Sequence, residues 1–481
     1  MAGKGAKDLT SGPIGATLLL FALPTLGSNI LQSLSGSINA IWVGRFLGEQ
    51  ALAATANANM IMFLMFSIVF GFGMASTVVI AQAIGAKDVE AARRAFGSAV
   101  GFCFLLAMAV AVVGFIASPA LLRLLATPAE AFPLALAYLR VIFVALPATL
   151  LSVMMMMGLR GAGDAQTPLR FMILSVAIDA VLNPVLILGL GPIPAFGIAG
   201  SAAATAVAGI ASLILLLVYI YAKDLPLRLR GAELAWLIPA PDQMRILLAK
   251  GLPMGLQMIV MSASGLILVG LVNREGLLTT AAYGAAQQLW TYLQMPAMAM
   301  GAAVSAMAAQ NIGAGRWDRI AKVTRYGLGY LLLITGVMVV LMLLFDRALL
   351  ALFLGGGSPA IEAARHMQLL ASWSFLIFGG TMILFGVMRA NGVVVAPLLI
   401  LLATLYGVRL GFYELFYGRL GADALWIGMP VASAVGFALA GGLYLHGGWR
   451  KGKLLVPPDP DECLEDAHAK GEPAGRIAPT G

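Results

Sequence analysis

The chain has 481 residues, 60% of them hydrophobic and 11% charged, where a soluble domain carries about 25% charged residues. Mean hydropathy is +0.94, and six of the 22 acidic residues (Asp459, Asp461, Glu462, Glu465, Asp466 and Glu472) crowd into a polar C-terminal stretch. Too few charges remain to solvate a large water-facing surface, which excludes a two-domain soluble enzyme. The net charge of +8 comes from Lys and Arg spread singly between apolar runs; this speaks against a nucleic-acid partner and for orientation in a lipid bilayer.

Charge-poor runs long enough to span about 30 Å of hydrocarbon at 1.5 Å per residue lie near 14–38, 51–82, 94–117, 133–158, 168–190, 196–222, 246–271, 278–306, 323–345, 365–388, 395–418 and 424–446. They are continuously apolar, not alternating, so they predict helices and exclude a β-barrel. The first, preceded by Lys4 and Lys7 and lacking an Ala-x-Ala-like cleavage site, reads as a retained membrane helix. Counting loops alternately puts twenty Lys and Arg on the side of the termini and seven on the other, which predicts cytoplasmic termini and an even number of spans.

The chain repeats itself at a spacing of about 229 residues. Leu23-Pro24 recurs as Leu252-Pro253, AQAIGAKDVEAARRA (81–95) as AQNIGAGRWDRIAKV (309–323), and GLRGAGDAQTPL (158–169) as VMRANGVVVAPL (387–398), which pairs Arg160 with Arg389. The expected fold is therefore an all-α membrane protein with twelve transmembrane helices in two six-helix bundles, related by a pseudo-two-fold axis along the membrane normal. The divisions are an N-terminal tail (1–13), a first bundle (14–222), a linker (223–245), a second bundle (246–446) and a disordered tail (447–481).

Two such bundles suit alternating access to a small-molecule substrate bound between them. No Walker A motif occurs, so the driving force is an ion gradient or the solute's own. Within the spans only Asp179 and Glu414 are acidic. Asp179 lies mid-helix with Asn183 one turn on, and an intramembrane carboxylate is a coupling residue by default; Glu414 reads as an end residue. Arg140 and Arg409 cannot shed a proton and are expected to pair with a carboxylate or snorkel. Cavity candidates are Asn29 and Gln32 on the first helix, Asn57 on the second, Gln257 on the seventh, and Gln287, Gln288, Trp290 and Tyr292 on the eighth; interhelical bonding is the alternative. Many of the 25 methionines, Met154 to Met157 among them, either pack or offer an adaptable solute surface. Pro24 and Pro253 are matched candidate hinges. Cys103 and Cys463 form no disulfide framework, and His366, His446 and His468 are too scattered for a metal site, so neither metal nor organic cofactor is expected.

These residues resemble the multidrug and toxic compound extrusion (MATE) family. Leu23-Pro24, WVGRFLGEQALAA (42–54), AQAIGAKD, LRGAGDAQTP, LNPVLILG and FGIAGSAAAT (196–205) carry the resemblance over roughly 14–446. It implies a V-shaped twelve-helix exporter of cationic or amphipathic compounds in exchange for H⁺ or Na⁺. Many members carry an Asp where this chain has Asn39, and others a Glu and an Asp where it has Met261 and Phe378; the usual Asn-then-Asp order of the fifth helix is here Asp179 then Asn183. Asp179, Asn183 and Asn39 are thus the ion-coupling candidates, with H⁺ favoured because one proton neutralises a lone carboxylate. The expected protein is a monomeric multi-pass exporter of the inner membrane. The rival readings are a lipid or lipid-linked-oligosaccharide flippase and a non-transporting scaffold or receptor.

Overall fold

The computed structural model describes residues 8–124, 127–189, 194–355 and 357–452, apart from the side chains at eight positions between 49 and 68. Among them all regular structure is helical. Ten described helices are long and apolar enough to cross a membrane, and a bent pair makes an eleventh. These are α1 (Ile14–Gly48), α2 (Ile61–Gly85), α3 (Val89–Leu124), α4 (Phe132–Gly161), α5 (Gln166–Leu188), α6 (Ile198–Ala222), α7 (Pro241–Arg274), α9 (Trp317–Leu344), α10 (Ala360–Ala371 with Ser374–Ala390, bent 43°), α11 (Val395–Leu420) and α12 (Asp423–His446). The remaining long helix, α8 (Leu277–Gly313), has 37 residues. It is less apolar because most of it is buried against protein, where Gln and Asn cost less than in lipid.

The expected first loop is absent: helix continues past residue 38 to Gly48, whose φ of 82° is a conformation that only glycine adopts freely. A short helix, Asp346–Leu354, also precedes α10. The backbone stays helical through Pro24 and Pro253.

Both bundles meet at the end that carries the linker. There the repeated AQ-x-IG segments pack reciprocally, so that a methyl on Gly85 would overlap the Gln310 carbonyl oxygen and one on Gly313 would overlap that of Gln82. Reciprocal contact of this kind is what a two-fold axis generates. The side chains cross as well: Gln82 Nε2 donates to Ala390 O (2.7 Å) and Gln310 Nε2 to Gly161 O (3.0 Å). Each amide thereby satisfies a carbonyl at a helix C-terminus that has no partner within its own helix.

The extramembrane segments are packed in place. Leu9 is fully buried, donates its N–H to Gln310 Oε1 and accepts from Asn311 Nδ2. The linker's 3₁₀ turn, Gly231–Leu237, lies on α3, where Arg93 pairs with Glu233 at 3.0 Å. Before it, Arg230 and Arg228 hold the Asp224 carboxyl below the usual carboxylate range, so this clasp persists at neutral pH and loosens only in acid. The C-terminal tail, expected to be disordered from 447, begins instead with a 3₁₀ turn, Gly448–Lys451, whose Trp449 is buried and accepts at its carbonyl from Asn391 Nδ2; residues from 453 on lie outside the described set.

The linker-end seal has no room for a side chain. Gly85→Ala and Gly313→Ala should each destabilise the detergent-solubilised protein by about 1–3 kcal/mol, the usual cost of overpacking, read as a lower thermal unfolding midpoint. Unchanged midpoints for both would mean that the ends are not in contact.

Candidate functional site

Three cavities follow one another across the molecule. The first, about 260 Å³, lies inside the first bundle and is lined by Ser35, Asn39, Thr55, Asn59, Tyr138 and Thr205, with apolar residues between them. Asp179 stands behind its wall, only 3% exposed. Its Oδ1 accepts from Thr205 Oγ1 (3.0 Å) and more distantly from Asn183 Nδ2 (3.5 Å), and its Oδ2 from Ser35 Oγ (3.4 Å). Asn39 joins the network by accepting from Ser201 Oγ (2.8 Å) and donating to Thr205 Oγ1 (3.4 Å). Asp179, Asn183 and Asn39, which belong to α5 and α1, therefore meet in one hydrogen-bonded group completed by α6. Ser201 and Thr205 are members of the group that the sequence alone does not single out. Their spacing of four on a small-residue helix placed two hydroxyls on one face.

The second cavity, about 450 Å³, lies between the bundles. Asn29, Gln32 and Gln257 line it, and eight methionines (74, 157, 254, 258, 261, 295, 298 and 382) with Phe21, Phe63, Phe70 and Phe378 form its apolar walls. Of the Met run, only Met157 faces this space; Met154, Met155 and Met156 pack in the core. Gln257 also donates to Val394 O (3.1 Å), so it serves as both lining and interhelical tie.

Arg160 and Arg389 line the same cavity. The expected spans, which end at 158 and 388, leave both in loops on the terminal side; both belong instead to the last turns of α4 and α10 and face the cavity. The local chemistry explains the turn that follows Arg160. Gly163 (φ 91°) reverses the chain, and Asp164 then caps α5 by accepting from Gln166 N (3.1 Å), Thr167 N (2.9 Å) and Thr167 Oγ1 (2.6 Å). Gly392 (φ 72°) makes the matching turn after Arg389.

The third cavity, about 600 Å³, lies in the second bundle and shares Met258, Met261, Gln294, Met298 and Phe378 with the second. Gln287 and Trp290 line it, though Trp290 also donates Nε1 towards Gln368 Oε1 (3.2 Å) and Ser372 Oγ (3.3 Å). Met261 and Phe378 are walls of both cavities. Arg409 faces this space from beside a π-helical turn, Ala403–Val408. Of the two expectations for the arginines, a carboxylate partner or snorkelling, the first is not met by Arg409 among the described residues, and its Nε and Nη2 are buried without a hydrogen bond. Arg140, also without a carboxylate, lies over the Phe115 ring at 5.2 Å. Gln288 and Tyr292 line none of the three cavities, the Asn57 side chain lies outside the described residues, and Glu414 is exposed at the end of α11. No cluster of His, Cys, Asp or Glu fit for a metal occurs among the described residues.

A helical membrane protein with two matched bundles about a solute-sized central cavity is built as a transporter. The MatE family model matches it twice, at residues 24–185 and 253–413. The chain is 36% identical over 440 residues to the probable multidrug resistance protein YoeA of Bacillus subtilis, covering 91% of this chain and 95% of that one. It is 30% identical over 452 residues to the probable multidrug resistance protein YpnP of the same organism, covering 94% and 99%. It also superposes on a solved structure described as an outward-facing conformation of a multidrug resistance MATE family transporter, with a TM-score of 0.86 at 21% identity, covering 94% of this chain and all of that one. The chain belongs to the MATE family of multidrug efflux transporters.

Thr205 links Asp179 to Asn39. Thr205→Val, which keeps the side-chain shape but removes the hydroxyl, should slow solute transport about tenfold, the order of one lost hydrogen bond to a charged group, while Thr205→Ser retains most of it. Equal export by all three proteins in a reconstituted flux assay would detach Thr205 from function.

Proposed function

We propose that the chain is a secondary exporter of amphipathic organic compounds that alternates access between its two bundles and is driven by H⁺ taken up at Asp179. The observation that carries this reading is the double duty of α1. Its Thr25, Asn29, Gln32 and Ser33 line the central cavity, and Ser35, immediately beyond them, donates to the Asp179 carboxylate. Protonation turns that carboxylate from an acceptor into a partial donor, so Ser35 and Thr205 must reorient. A change in the first-bundle pocket is thus felt on the helix that holds the solute. H⁺ is favoured because a single proton neutralises this lone carboxylate, whereas Na⁺ requires several converging oxygens; on protonation Asp179 gives up one of the acceptor positions that Ser35, Thr205 and Asn183 now use.

Alternating access is supported by the reciprocal seal at the linker end, since a two-fold contact between matched helix ends can open as the bundles rock. The apolar Met and Phe walls suit an amphipathic solute, because Met adapts to varied shapes. Orientation with both termini in the cytoplasm rests on the charge asymmetry, which remains eighteen to seven once Arg160 and Arg389 are removed from the original twenty. The seal then closes the cytoplasmic side. A monomer in the plasma membrane completes the reading.

The test is efflux of an amphipathic dye from efflux-deficient cells, with the H⁺ and Na⁺ gradients collapsed separately. Wild type should lower dye accumulation, and collapse of the H⁺ gradient or Asp179→Asn should abolish the effect. Loss on collapsing Na⁺ alone would replace the ion, and full export by Asp179→Asn would remove Asp179 from the mechanism.

A further inference from the structure

We infer that the central cavity selects solutes bearing an anionic group, which Arg160 and Arg389 hold between them. The inference rests on the exporter reading for its biological meaning, but its physical content is a binding preference.

The central cavity has no carboxylate in its lining and two guanidinium groups. Arg389 is 8% exposed, and among the described residues its side chain makes one hydrogen bond, from Nη1 to Met74 Sδ at 3.8 Å, a weak acceptor. Arg160 forms no ion pair among the described residues, and the Nε atoms of both arginines are buried without a hydrogen-bond partner. Neither side chain can become neutral by losing a proton. A cation withdrawn from water without a counter-ion is costly, and here the cost falls on two positions matched by the internal repeat, Arg389 buried and Arg160 part-buried. The adjoining cavity adds a third guanidinium, Arg409, again with no acid in its lining.

Asp179 does not offset this charge. Its carboxylate is turned towards Ser35, Thr205 and Asn183 within the first bundle, and it is not among the residues lining the central cavity. A cationic solute would thus enter a space whose fixed charges are all positive. A carboxylate, sulfonate or phosphate would satisfy the vacant N–H donors by charge-assisted hydrogen bonds, and its apolar body would lie along the Met and Phe walls. An anion carried outward also moves down an inside-negative membrane potential, so export of such a solute is aided by the gradient that drives proton entry.

The experiment compares two probes with the same fluorophore and opposite charge, dansylglycine and dansylcadaverine, titrated against the purified full chain in nanodiscs of neutral phosphatidylcholine. No ion gradient is present, so a failure of proton coupling leaves the measurement untouched. Wild type should bind the anionic probe about tenfold or more tightly than the cationic one, the discrimination expected of charge-assisted pairing. The Arg160→Gln, Arg389→Gln pair should lose that preference, and the Arg160→Lys, Arg389→Lys pair should keep its sign. A second arm replaces the neutral lipid by phosphatidylglycerol. Unchanged dansylglycine binding there identifies a water-soluble anion as the ligand, and competitive displacement that depends on both arginines identifies an anionic lipid headgroup. Equal or tighter binding of dansylcadaverine by wild type overturns the inference without recourse to any variant. So does dansylglycine binding that is unaffected by the glutamine pair.

Discussion

The arrangement depends on the approach of α2 and α8 where they end. Two helices come into backbone contact only where no side chain intervenes, and Gly85 and Gly313 supply that opening from matched positions. The contact brings Gln82 and Gln310 across to the partner bundle, where their amides tie down Ala390 O and Gly161 O. Each tied carbonyl belongs to the residue directly after an arginine, Arg389 in one case and Arg160 in the other. One reciprocal contact therefore closes an end of the molecule, fixes the C-termini of α4 and α10, and holds two guanidinium groups at the central cavity.

Charge placement follows from the same economy of polar groups. An ionisable side chain in a membrane must be paired, hydrated or functional, and the chain separates its signs. The carboxylate lies within the first bundle among hydroxyl and amide donors, while the guanidiniums line the central and second-bundle cavities. Helix α1 runs between the two regions and touches both. Coupling between an ion site and a solute site requires an element whose state both of them bias, and α1 is placed to be that element.

Much of this was legible in the residues. Apolar runs and the repeat reached the helical, two-bundle architecture, and Asp179 with Asn183 stood out because a carboxylate in hydrocarbon is so rare. Asn39 came from the family resemblance, and Ser201 now joins it to the group through a 2.8 Å bond. Arg160 and Arg389 were misplaced because charge near the end of an apolar run looks the same whether it faces water or a cavity. Their recurrence at matched repeat positions was the available signal, but burial is a tertiary fact. The break at Gly48 falls inside the expected gap of 39–50, but the first helix runs ten residues further than expected because helix propensity persists through the stretch before it. The bend in α10 and the π turn before Arg409 depend on packing and left no local mark.

The proposal that H⁺ taken up at Asp179 drives alternating access is tested most directly at the linker end, which protonation should open. Spin labels at the exposed positions Lys87 and Asp318, which flank the seal on either bundle, report the distance between the two linker-side helix ends by double electron–electron resonance. The account predicts a second, longer distance whose population grows as pH falls and whose pH response disappears in Asp179→Asn. A single distance that is unchanged with pH in the functional protein would contradict it.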